Sequence, residues 1–180
     1  MKSNIFKPAL LMLWLASGAS FAAGNDTPAT LTIGGEVADY VHSCKLTLHK
    51  ASVDLTGNTL DLQNQDTQKA YNPQVVTMSV DGGYSCSVAM AQNKVALRYS
   101  ATADNGMGIS IANAATGETA AKGVGIGLYN SAGNLINVSD NSTIVTLPEQ
   151  SIGLQLVKLN GQTPTSGSVQ GTLTIQIDTM

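Results

Sequence analysis

The sequence is short of charge, of aromatic rings and of the side chains that do chemistry. Asp, Glu, Lys and Arg make up 12% of its 180 residues, too few to line the solvent faces of many helices. Phe, Trp and Tyr make up 4%, and 12 acidic side chains outnumber 9 basic ones. That balance excludes the basic stripe with interleaved aromatics that nucleic acid demands, and it disfavours phosphates and anionic lipid surfaces.

Histidine is almost absent. His42 and His49 both flank Cys44, and a spacing of seven puts them on opposite faces of a strand. A zinc or copper site on a β-scaffold needs more imidazoles or a free thiolate, so no metal and no cofactor is expected. Asp61, Asp66 and Glu149 occur in polar stretches without a partner that would split their pKa values, and they read as solvated acids. No Gly-x-Ser-x-Gly elbow is present. Gly123-Val124-Gly125-Ile126-Gly127 lacks both the spacing and the following helix of a phosphate loop, and close backbone packing in a sheet explains these glycines better. The chain does not read as an enzyme.

Long apolar runs are missing too. Residues 9–16 form one short run, preceded by Lys2 and Lys7 and followed by Ser17-Gly18-Ala19-Ser20-Phe21-Ala22. This is the pattern of a secretory signal peptide and is too short for a membrane span. Cleavage after Ala22 places small residues at both required positions. The expected organisation is a signal peptide over 1–22, an extension over 23–34 and one domain over 35–180. Loss of Lys2 and Lys7 takes the net charge from −3 to about −5.

Only Cys44 and Cys86 are present, 42 apart. In an exported chain they read as one intramolecular disulfide rather than a metal or redox site. Closing such a loop stabilises by about 4 kcal/mol on the chain-entropy account.

What remains is rich in Thr, Ser, Asn, Gly, Val and Ile, which is strand composition. Period-two alternation is clearest at the end, where Val169, Leu173, Ile175 and Ile177 oppose Gln170, Thr172, Thr174, Gln176 and Asp178. Val95, Leu97, Tyr99 and Ala101 alternate likewise, as do Val124, Ile126 and Leu128 and then Ile152, Leu154 and Leu156. Between the runs lie Asp81-Gly82-Gly83, Asp104-Asn105-Gly106, Ser131-Ala132-Gly133-Asn134 and Asn160-Gly161, which are turn chemistry. The pattern predicts strands over 30–41, 45–49, 52–55, 75–80, 94–101, 108–111, 124–129, 143–147, 152–159 and 168–177. Residues 56–73 read as a long polar connection with at most a helical turn. The whole predicts an all-β antiparallel sandwich.

The order of these features resembles the chaperone–usher pilins of the type 1 family. Gly35-Glu36-Val37 leading to Cys44 looks like the family's first core strand. The run from Val124 to Tyr129 with Ser131-Ala132-Gly133 is similar to its "V-G-I-Q-I" strand and turn. Ile152-Gly153-Leu154-Gln155-Leu156 with the 163–168 loop resembles the penultimate strand and the loop after it. The resemblance implies an incomplete immunoglobulin-like sandwich lacking its last strand. A groove beside the final strand, walled by Val169, Leu173, Ile175 and Ile177, is first covered by a periplasmic chaperone. It is then filled by the N-terminal extension of the next subunit, through Thr27, Ala29, Leu31 and Ile33.

An outer-membrane usher is the implied third partner, and an extracellular adhesive fimbrium the implied destination. Single-domain length suits a shaft subunit better than a tip adhesin. Three departures stand out. Ile177 replaces the family's penultimate aromatic, Pro28 lies inside the extension, and Ala29 stands where donors often carry Gly. The rival expectation is a self-contained secreted or periplasmic sandwich that binds a glycan or a protein.

Overall fold

The computed structural model describes residues 44–139 and 142–180. The residues expected to be donated (Thr27, Ala29, Leu31 and Ile33), the strand expected over 30–41, both expected domain boundaries and His42 lie outside the described residues. Ten strands and one helix follow in order: β1 (Lys45–Leu48), β2 (Gln63–Asn64), β3 (Gln74–Asp81), α1 (Gly83–Ala91), β4 (Val95–Ala101), β5 (Ile111–Ala112), β6 (Val124–Asn130), β7 (Leu135–Ile136), β8 (Ser142–Ile144), β9 (Glu149–Lys158) and β10 (Leu173–Thr179).

They form two sheets. The larger runs β1-β3-β9-β6-β5, with β2 also on β9 and β7 also on β6, and the smaller runs β10-β4-β8. Pairing is antiparallel except between β2 and β9.

Alternation decides which side chains meet between the sheets. Val76, Met78 and Val80 of β3, Ile126 and Leu128 of β6, Leu97 and Tyr99 of β4, and Ile152 of β9 form one buried cluster. Strands whose every second residue is branched or aromatic bury that face against another sheet. The observed fold is the antiparallel sandwich that the alternation predicts.

The outer face of β6 is buried as well, and its glycines explain how. A Cβ on Gly127 would lie 2.8 Å from the Tyr129 ring, and one on Gly125 would lie 2.9 Å from Leu159. Both side chains therefore lie flat over the backbone of β6. Beside them the Asp104 carboxylate, 6% exposed, gathers the 104–110 loop around itself. It accepts N–H donors from Gly106 (2.7 Å), Met107 (3.0 Å), Gly108 (3.3 Å) and Ser110 (2.7 Å). Gln65 Nε2 donates to it at 3.2 Å, and Gln65 Oε1 accepts the Asn160 N–H at 2.8 Å. This wrapping of the loop leaves β5 only two residues, fewer than the predicted 108–111.

Four other predictions need correction. Helix α1 was not expected. Its signal is the spacing of the buried Cys86, Ala89 and Met90 at i, i+3 and i+4, which the turn residues before it mask. Residues 52–55 alternate as a strand does, with Val53 and Leu55 half-buried, yet they pair with no described residue and are not a strand. The 56–73 connection contributes β2 rather than a helical turn. The last strand starts at Leu173, not at 168, because the preceding residues bond elsewhere. Ser168 N–H donates to Thr119 C=O (2.8 Å), Gln170 C=O accepts the Ala114 N–H (2.7 Å), and the Asn113 side chain accepts the Gln170 N–H (2.9 Å). Val169 is thus in a crossing segment, and only Leu173, Ile175 and Ile177 of the expected wall are in the strand.

Candidate functional site

Among the described residues, strand β10 has a neighbouring strand on one side only. It pairs along its whole length with β4, from Leu173 opposite Ala101 to Thr179 opposite Val95, and no described strand takes its other edge. In an antiparallel strand alternate residues turn their N–H and C=O groups to each side, so this edge offers a row of backbone donors and acceptors. Leu173, Ile175 and Ile177 are half-buried while Thr174 and Gln176 are exposed. The apolar face of β10 is aimed inward and incompletely covered.

Across from β10 lies segment 50–56, which pairs with no described strand, and between the two runs a groove of about 870 Å³. Val76, Ile111, Ile126, Ile152, Leu154 and Leu156 line its floor, Val53 and Leu55 one wall, and Val169, Leu173 and Ile175 the other. Leu156 and Val169 also line a second cavity of about 370 Å³ that continues between residues 57–62 and 165–167. The groove's contents are chemically plain. Its lining is apolar apart from Lys50, Asp54 and small hydroxyl and amide side chains, so it can bury an extended apolar segment and offer it a strand edge.

The start of β1 is pinned by Cys44, which is bonded to Cys86 of α1 with their Cα atoms 5.2 Å apart. At the other end Arg98 and Asp178 form an ion pair at 2.7 Å across β4 and β10. The chain after Ile177 continues the sheet, with the Met180 N–H on Lys94 C=O at 2.8 Å. The residues beyond the expected end of the wall therefore lengthen the open edge.

Four titratable groups among the described residues are shifted by their surroundings. Gly83 and Gly82 N–H groups hold the exposed Asp81 carboxyl below its ordinary range. Burial alone would raise Asp104, but the backbone N–H groups of Ser110, Gly106 and Gly108 and the Gln65 amide outweigh it, and the carboxyl sits low. Burial raises the Tyr99 phenol, partly offset by a hydrogen bond to the Thr143 side chain, and burial raises Tyr129. His49 lies with Nδ1 3.0 Å from Thr77 Oγ1. No group of three or more His, Cys, Asp or Glu that could hold a metal occurs among the described residues. No helix among them is long and apolar enough to cross a membrane.

Comparison with known proteins points one way. The family described as fimbrial protein matches residues 31–179. The crystal structure of the P pilus rod subunit PapA superposes with a TM-score of 0.51 at 13% identity, over 84% of this chain and 100% of that one. A subunit in the structure of a chaperone–usher pilus, solved in connection with rod uncoiling, gives 0.53 at 14% identity over 86% and 96%. A comparison with curated proteins finds no match.

Proposed function

The chain belongs to the fimbrial protein family, a structural subunit of a surface pilus, and on that premise we propose that it polymerises by donor-strand exchange. The single observation that supports this is the open edge of β10 above an apolar groove. The N-terminal extension over 23–34 of one subunit fills the groove of the next, with Thr27, Ala29, Leu31 and Ile33 turned toward the floor. Fully burying Leu31 and Ile33 contributes about 1.5–3 kcal/mol each, and pairing with β10 fixes register. Until then a periplasmic chaperone covers the groove, because an exposed apolar edge aggregates. An outer-membrane usher receives the subunit after export under a signal peptide over 1–22. The fibre serves attachment.

Circular permutation tests the reading. Residues 23–34 are moved behind Met180 on a flexible linker, and the permuted and native-order mature chains are compared by size and thermal unfolding. The expected result is a stable monomer from the permuted chain, against an unstable or chain-forming native-order protein. A native-order chain that is already a stable monomer, unimproved by permutation, overturns donor-strand exchange in favour of a self-contained binding module.

A further inference from the structure

Two Asn-Gly pairs stand in turns, Asn105-Gly106 and Asn160-Gly161, and both glycines are exposed. In each, the glycine has no side chain to keep its backbone nitrogen from the preceding amide carbon. What differs is how that nitrogen is held. Gly106 N–H donates to the Asp104 carboxylate at 2.7 Å, and a Cβ there would lie 2.6 Å from Gln65 Oε1, so the site is tied and crowded. Gly161 sits at φ 75° between Leu159 and Gln162, whose C=O and N–H close the turn at 3.2 Å. The Gly161 N–H donates to no described residue, and the space around its Cα is open.

We infer that Asn160 is a site of spontaneous deamidation. The Gly161 nitrogen attacks Asn160 Cγ and forms a five-membered imide. The side-chain NH2 leaves with the Gly161 proton as ammonia. Water then cleaves one of the two imide C–N bonds, returning a proton to nitrogen and leaving either aspartate at 160 or its isomer linked through the side-chain carboxyl. No oxidant or cofactor takes part.

The product is felt by its neighbours. Asn160 Nδ2 donates to Met107 Sδ at 2.7 Å and to Asp66 Oδ2 at 3.3 Å. A carboxylate at 160 can donate to neither and faces the Asp66 carboxylate instead. The isomer also inserts an extra methylene into the main chain just before the 163–168 loop. Because the Asn160 N–H rests on Gln65, the change is transmitted to the cluster around Asp104. The inference stands whether or not a strand is donated to the groove.

Ageing the folded chain at mildly alkaline pH, then peptide mapping by mass spectrometry with separation of the two isomers, tests it. Conversion at Asn160 is expected to run about tenfold or more ahead of Asn105, because at the latter the attacking Gly106 nitrogen must first leave its charge-assisted hydrogen bond to Asp104, whereas the Gly161 nitrogen donates to no described residue. In denaturant the two rates should converge. Equal rates in the folded chain, Asn105 ahead, or no conversion at Asn160 while the unfolded chain converts at both, each overturns the assignment. Asn160→Asp, made directly, is expected to lower the unfolding midpoint relative to Asn160→Gln. Identical midpoints would remove the transmitted effect.

Discussion

Strands β6 and β10 are each seven residues long and each alternate apolar residues, yet they end in opposite situations. Six of the seven β6 residues are buried, while no β10 residue is fully buried. The difference lies in neighbours. β6 has β9 on one side, β5 and β7 on the other, and covered faces above and below. Among the described residues β10 has β4 alone, and it looks into the groove. An apolar strand is a request for partners, and this molecule leaves one such request unanswered within the described chain.

The largest test of that contrast concerns the bond at the start of β1. Reduction, or Cys44→Ser with Cys86→Ser, is expected to lower stability by about 4 kcal/mol in denaturant unfolding. A loss near zero would mean that the wall beside the groove holds its place without the bond.

Next come paired truncations. Leu128→Ala in β6 is expected to cost about 3 kcal/mol with the groove open or filled. Ile175→Ala in β10 is expected to cost about 1 kcal/mol in the open subunit, rising toward the β6 value once a strand covers it. Equal costs in the open subunit would erase the comparison.

A third test is acid. The Asp104 carboxyl is held below its unfolded value, so its contribution is complete above about pH 4 and is lost as the pH falls through the lower folded value. Asp104→Asn is expected to be about 2 kcal/mol less stable at neutral pH. Its stability curve should meet that of the parent in acid, as denaturant midpoints across the pH range will show. Parallel curves would sink the assignment. The smallest effect belongs to the exposed Arg98–Asp178 pair on β10. Arg98→Ala is expected to change stability by under about 1 kcal/mol, and less in high salt.

Much of this was legible from residue order alone. Alternation marked β3, β4, β6 and β9 to within a few residues, since a half-buried strand must alternate whatever it packs against. The glycines of β6 read as close packing, and Gly127 under Tyr129 shows what they make room for. The groove's strand was legible only from Leu173 onward. Val169 fits the same alternation, but Asn113 and Thr119 hold the chain beside it on the other sheet, and no local pattern encodes those partners. Helix α1 was missed because its nine residues form no long amphipathic run, and only the buried spacing around Cys86 betrays it.

The sequence by itself determined the strand character, the pairing of two lone cysteines and the turn positions, because these depend on side-chain branching, count and backbone freedom near each residue. Only the tertiary structure decided that residues 52–55 pair with no described strand, that β10 keeps an edge no described strand takes, and that Asp104 is buried under five donors. Each of these depends on which distant segment comes to lie alongside, and the sandwich alone settles that.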